Sequence, residues 1–183
     1  MSDFTLHTAD SAPEAAKPLL ENSQKAFGMI PNLHAVMAEA PTLLEGYQVL
    51  HGLAQDTSFN AEELTVVWQT VNVEHACHYC VPAHTGIAKS MKVSDELIEE
   101  LRNDETLSDA KLNTLKDTVL AVTRGRGHIE DAQLKAFYDA GYQHQQLLEI
   151  ILILAQKVMS NYTNHLAETP VDDAFKSFAW EPK

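Results

Sequence analysis

Two cysteines, Cys77 and Cys80, stand in the stretch Val73-Glu74-His75-Ala76-Cys77-His78-Tyr79-Cys80-Val81-Pro82-Ala83-His84-Thr85. They are the only cysteines of the chain, and His84 follows the second by four positions. On a helix, the i,i+3 and i,i+4 spacings place all three side chains on one face. The reactive form of cysteine is the thiolate, and three features favour it here. A break near Glu74-His75-Ala76 would set both cysteines in the first turn of a helix, where free N–H groups stabilise negative charge. His84 can take a proton from Cys80 or pair with its thiolate. The second sulfur can close a disulfide once the first is oxidised. The bland alternative is two core cysteines beside a structural histidine, but core packing gives no reason to share a face with an imidazole.

A carboxylate would complete such a relay by orienting His84. Glu62, Glu63 and Glu74 are the candidates. In one straight helix, Glu63 would lie ~30 Å from His84 at 1.5 Å per residue. In an antiparallel pair turning near Glu74, the two sit about equally far from the turn and meet, so Glu63 is the choice. Its other role, as a helix N-terminal capping residue, is compatible. His75 and His78 either tune Cys77 or face solvent, and Tyr79 either donates a hydrogen bond or packs. The competing chemistry is zinc binding by Cys77, Cys80 and His84 with His75 or His78. Three ligands within one and a half helical turns rarely close a tetrahedron, and there is no second cysteine pair. The site is therefore expected to hold no metal and no cofactor.

The elements that must carry these residues read as helices. Ser11 and Pro13 start one that Gly28 ends. Asn32 is expected to cap a short helix with Leu33, Val36 and Met37, and Pro41 begins a longer one through Leu53. Asn60 and Glu63 have capping-box spacing ahead of Leu64, Val67, Trp68 and Val71. The valines there give a strand as the competing reading, and the cap and the length of the run favour helix. Val93-Ser94-Asp95-Glu96 and Leu107-Ser108-Asp109-Ala110 cap two further helices, and Ile129-Glu130-Asp131 starts a short one. The segment from His144 to about Glu168 is the most apolar, with Leu147 to Leu154 in near succession, so it should be buried on all sides, within the domain or between subunits. A short helix and a docking Phe178-Ala179-Trp180 are expected in the tail. No stretch alternates at period two. The fold class is all-α, roughly eight to ten helices in a single domain over residues 1–183, with the C-x-x-C core at about 40–165.

A formal net charge of −13 over 183 residues repels phosphate backbones and argues against nucleic acid as a partner. The N-terminal stretch lacks the basic and apolar regions of a secretory signal, and no apolar run approaches the ~20 residues of a membrane span. A cytoplasmic location with no membrane partner is expected. In a reducing cytosol a lone C-x-x-C is catalytic or metal-binding more often than a static staple.

The run Cys77-His78-Tyr79-Cys80-Val81-Pro82-Ala83-His84-Thr85, with Glu63 upstream, resembles the alkylhydroperoxidase D / carboxymuconolactone decarboxylase family. Ile30-Pro31-Asn32-Leu33 and Pro41-Thr42-Leu43-Leu44 resemble its upstream helices, and the likeness extends weakly over residues 15–165. The resemblance implies an all-α fold, a homotrimer or homohexamer, and thiol peroxidase or disulfide reductase activity. In the peroxidase branch the second cysteine is oxidised to sulfenic acid and the first resolves, which implies those roles for Cys80 and Cys77. The family histidine matches His84. That branch carries its glutamate twelve residues before the first cysteine, where this chain has Thr65, and a histidine where it has Tyr79. The decarboxylase branch does not depend on a cysteine pair, so its presence here favours redox chemistry. The expected partners are a hydroperoxide substrate and a dithiol reductant. The alternatives are a non-redox lyase on the same scaffold and a zinc-binding or redox-sensing module.

Overall fold

The computed structural model describes residues 3–182. Among these the chain forms nine α-helices and two short 3-10 helices, with no strand. The helices are α1 (Lys17–Phe27), α2 (Asn32–Met37), α3 (Pro41–Gln55), α4 (Ala61–Glu74), α5 (Cys80–Ser90), α6 (Asp95–Arg102), α7 (Ala110–Arg124), α8 (Asp131–Asp139) and α9 (His144–Ala167). Their ends follow the local chemistry of the sequence. Gly28 closes α1 in the left-handed conformation, at φ 72°. Asn60 and Glu63 form the capping box of α4, and the side chains of Ser94 and Asp109 cap α6 and α7. The valine run from Val66 to Val73 is helical throughout. Two caps differ from expectation: Ser11 precedes a 3-10 turn, Glu14–Ala16, and α1 starts only at Lys17, while Asn32 is the first residue of α2, not its cap, and gives its N–H to Asp172 of the tail at 2.9 Å.

Two apolar clusters form the interior. The larger gathers Val66, Val67, Trp68 and Val71 of α4 with Leu115 and Val119 of α7, Phe137 of α8, and Ile150 and Ile153 of α9. The smaller gathers Leu20, Leu33, Met37, Leu44 and Tyr47 around Cys77, Tyr79 and Cys80. Helices α4 and α9 pack against each other and against α5, so the thiols are held where the two clusters meet.

Helix α9 departs from the expectation of burial on all sides. Ile150 and Ile153 are buried, but Leu148, Ile151, Tyr162 and Leu166 are exposed. Its buried face in the second half is polar: Gln156, Lys157, Ser160, Asn161 and Asn164 are all at 0% exposure. The helix is therefore inverted in this half, with apolar residues outward and a polar stripe inward. No helix among the described residues is long and apolar enough to cross a membrane.

The tail is a strap. Its 3-10 helix, Asp173–Phe178, lies on α5. Phe175 rests on Gly86, where a Cβ would come within 2.8 Å of the ring. Arg102 donates to the carbonyls of Phe178 and Ala179, and Trp180 donates to the Arg102 carbonyl at 2.8 Å. The tail thus docks as its aromatic residues suggest.

Candidate active site

Helix α4 ends in a Schellman turn: Cys77 N–H reaches the Asn72 carbonyl at 2.9 Å and Ala76 N–H reaches Val73 at 2.9 Å. Ala76 carries the required positive φ, 51°. The reversal points Cys77 into the interior, one turn ahead of α5. Cys77 is thus not in the helix; its sulfur accepts the Cys80 N–H at 3.4 Å and serves as a cap for the first turn. Cys80 is the first residue of α5. Both cysteines are free thiols and both are buried. One side chain of α9 serves both sulfurs: the Asn164 amide donates to Cys80 Sγ at 3.3 Å and lies 4.0 Å from Cys77 Sγ.

The pair is electrostatically asymmetric. Burial pushes the Cys80 thiol up, but the neighbouring Cys77 thiol, the Lys157 charge and the polar side chains of Ser160 and Asn161 outweigh it and bring the thiol below the ordinary cysteine range. Cys77 is pushed up, first by its hydrogen bond to Cys80 and then by burial. The surroundings thus favour the charged form at Cys80 and the protonated form at Cys77.

Lys157, wholly buried, donates from Nζ to His84 Nε2 at 2.9 Å. Burial, and then the charge of Lys157, push the His84 imidazole well below the ordinary histidine range, so it is neutral. Its other nitrogen, Nδ1, is buried with no hydrogen-bond partner among the described residues. Trp68 packs edge-on against the His84 ring at 4.8 Å and donates from Nε1 to Gln156.

The remaining polar groups tie the hairpin to α9. Gln69 donates to the Val81 carbonyl, Asn72 donates to Gln69, and Asn161 donates to Asn72. His75 and His78, both half-buried, bond to Asn161 and to the Thr169 carbonyl at 2.9 Å each, so neither is a free solvent-facing residue. Tyr79 donates its hydroxyl to the buried Asp172 and accepts Leu33 N–H at 3.2 Å. The residue between the cysteines thereby fastens the tail strap to the site.

Glu63 stands elsewhere, which corrects the expected carboxylate. Its two oxygens accept from Asn60 N–H at 3.1 Å and from Lys111 Nζ at 2.8 Å. The antiparallel hairpin is present, but residues 75–79 make its turn and α5 starts only at Cys80. His84 therefore lies opposite Trp68 and Gln69, five or more residues beyond Glu63 and ~8 Å further along α4. Glu74 pairs with Arg124 and Glu62 is exposed, so among the described residues no carboxylate meets His84. Replacing Glu63 by alanine is expected to cost about 1–2 kcal/mol through the lost cap and ion pair, a drop of a few degrees in melting temperature. Thiol alkylation rates should stay within about twofold of the parent; a large fall would return Glu63 to the relay.

Cys80 and His84 line a cavity of about 320 Å³. Its walls are mostly apolar and aromatic, including Phe27, Leu33, Tyr47, Ile87 and Phe175. Two further histidines that line it, His34 and His51, are both lowered to about 4, chiefly by burial, and carry no charge near neutrality. The cavity thus offers one reactive sulfur to a small neutral molecule. Among the described residues no cluster of histidine, cysteine and carboxylate groups suits a metal ion.

No protein-family model matches the chain, and no curated protein matches it in sequence. Solved structures do match. The alkylhydroperoxidase AhpD core of an uncharacterized peroxidase-related protein from Ralstonia eutropha JMP134 is similar with a TM-score of 0.82, at 17% identity over 95% of this chain and 94% of that one. An uncharacterized peroxidase-related protein from Silicibacter sp. TM1040 gives 0.75 at 19% identity, over 94% of each chain. The debrominase Bmp8, as a cysteine-to-alanine variant in complex with 2,3,4-tribromopyrrole, gives 0.71 at 16% identity, over 97% of each. The chain has the all-α, alkylhydroperoxidase D-like fold, with a C-x-x-C pair buried at its centre.

Proposed function

We propose that this protein is a thiol-dependent peroxidase that reduces small organic hydroperoxides at Cys80. The observation that carries the reading is the free thiol pair sharing the Asn164 amide, with Cys80 on the wall of an apolar cavity. The Cys80 thiolate attacks the terminal peroxide oxygen. The O–O bond breaks, Cys80 becomes the sulfenic acid, and the alkoxide leaves with one proton from the site. The Cys77 thiol then attacks the sulfenic sulfur, forming the disulfide and releasing water. A dithiol donor returns two electrons by thiol–disulfide exchange.

Titration of the reduced protein with cumene hydroperoxide is the test. Both thiols should disappear with one equivalent of peroxide, one alcohol appearing per disulfide. Thiols that survive excess peroxide would end the reading. The neutral, aromatic-walled cavity also favours a second reading, reductive dehalogenation of a small haloaromatic. There two thiols and an aryl bromide yield the disulfide, the arene and hydrogen bromide. Bromide release from 2,3,4-tribromopyrrole, with no loss of thiols to peroxide, would select it.

A further inference from the structure

Lys157 presents a problem of charge that the thiol pair answers. The residue is at 0% exposure in the middle of α9. Its ammonium hydrogen-bonds a neutral imidazole, that of His84, and among the described residues no carboxylate pairs with it. A buried ammonium without an anion is untenable at several kcal/mol. Burial lowers the Lys157 ammonium, and the groups that oppose it by supplying an anion are Cys80 and Cys77. The other titratable groups at this centre are His84 of α5 and His51 and Tyr47 of α3, all held neutral, chiefly by burial. The thiolate is therefore the counter-ion, and this pairing lasts only while the cysteines are reduced.

We infer that Lys157 and His84 form the proton relay of the thiol centre, with Lys157 holding one proton in the dithiol state and surrendering it when the disulfide forms. The inference rests on the peroxidase reading for the identity of the acceptor. His84 lines the cavity and its Nδ1–H is unclaimed by the protein. When the alkoxide departs, His84 Nδ1–H protonates it and Nε2 takes the proton of Lys157. The sum is thiolate, thiol, ammonium and hydroperoxide in, and disulfide, amine, alcohol and water out, with charge and atoms conserved. On reduction, two protons from the donor dithiol go to Cys77 and Lys157, and Cys80 returns as the thiolate. The lysine thus does what the expected glutamate does not reach far enough to do.

The experiment compares iodoacetamide alkylation of the reduced protein at pH 6.0 and pH 8.5, in wild type, Lys157→Met and Lys157→Arg. A thiolate held by a fixed cation gives rates within about threefold of each other across this range. An ordinary thiol gives a ratio of about a hundredfold. Wild type and Lys157→Arg should show the flat profile and Lys157→Met the steep one, with circular dichroism confirming the fold. A flat profile in folded Lys157→Met overturns the inference. Should that variant fail to fold, proton counting on the wild type decides. Reduction of the disulfide by dithiothreitol at pH 7 should release no net proton; one proton per disulfide would mean that Lys157 stays charged throughout and would refute the relay. A steep Lys157→Met profile in a protein that consumes no hydroperoxide would sink the peroxidase reading and leave the cation in place. Consumption with an unchanged profile would do the reverse.

Discussion

Replacing Cys80 by serine should abolish hydroperoxide reduction, with a fall of about a thousandfold or more, as expected for loss of a covalent nucleophile. The substitution is nearly isosteric, and the serine hydroxyl can accept the Asn164 amide hydrogen now given to Cys80 Sγ at 3.3 Å. Stability should change little, so the loss reports chemistry. A hydroxyl at this place stays protonated even beside Lys157, because its ordinary pKa lies far above that of a thiol. The control is Cys77→Ser. It retains the nucleophile and should consume one equivalent of hydroperoxide once, then stop with Cys80 as the sulfenic acid, a gain of one oxygen visible by mass spectrometry. Cys77 donates to Cys80 in the reduced pair and caps the α5 first turn, so this variant should also react more slowly. If Cys77→Ser is inert while Cys80→Ser is oxidised, the two roles are reversed. That outcome would contradict the asymmetry set by Lys157, Ser160 and Asn161.

What the sequence discloses depends on the range of the interaction. Helix ends rest on contacts three to five residues apart, and Gly28, the Asn60–Glu63 box and the capping stretches that hold Ser94 and Asp109 are legible from spacing alone. The closeness of the two cysteines is local in the same way, with the Cys80 N–H on Cys77 Sγ at 3.4 Å, whereas the partner of His84 is Lys157, far along the chain. Glu63 misleads because counting residues to the turn at Glu74 ignores the five turn residues, 75–79, which add length but no helical rise. The cap it forms is local and readable; the relay would have been long-range. Lys157 is missed because α9 is read by its apolar run from Leu147 to Leu154. The signal lies in the next two turns, where Lys157, Ser160, Asn161 and Asn164 recur at i, i+3, i+4 and i+7, the spacing of a buried face. Polar residues at that spacing in a helix whose other face is Leu148, Ile151, Tyr162 and Leu166 mark an inward polar stripe. Periodicity alone does not say which stripe faces in; packing against α3 and α4 does. Tyr79 and Asp172 are ninety-three positions apart, and no local rule joins them.

Trp68→Ala should give the largest loss of stability of any single side chain around the site, about 3–5 kcal/mol, or roughly 10 °C in melting temperature for a chain of this size. Trp68 is 1% exposed. Its ring meets His84 edge-on at 4.8 Å and stacks on His51 at 5.8 Å, and its Nε1 donates to Gln156 at 3.2 Å. Truncation therefore opens a cavity against two imidazoles and leaves the Gln156 oxygen without its donor, one residue before Lys157. Trp68→Phe separates these effects: it retains most of the wall and loses only the N–H, at about 1–2 kcal/mol. Because the His84 ring is positioned by this wall and holds Lys157 at 2.9 Å, the alanine variant should also react more slowly with hydroperoxide than the phenylalanine one, measured at a temperature where both are folded. Equal rates in the two variants would mean that Lys157 alone, and not the packing of Trp68 on His84, fixes the geometry of the proton relay.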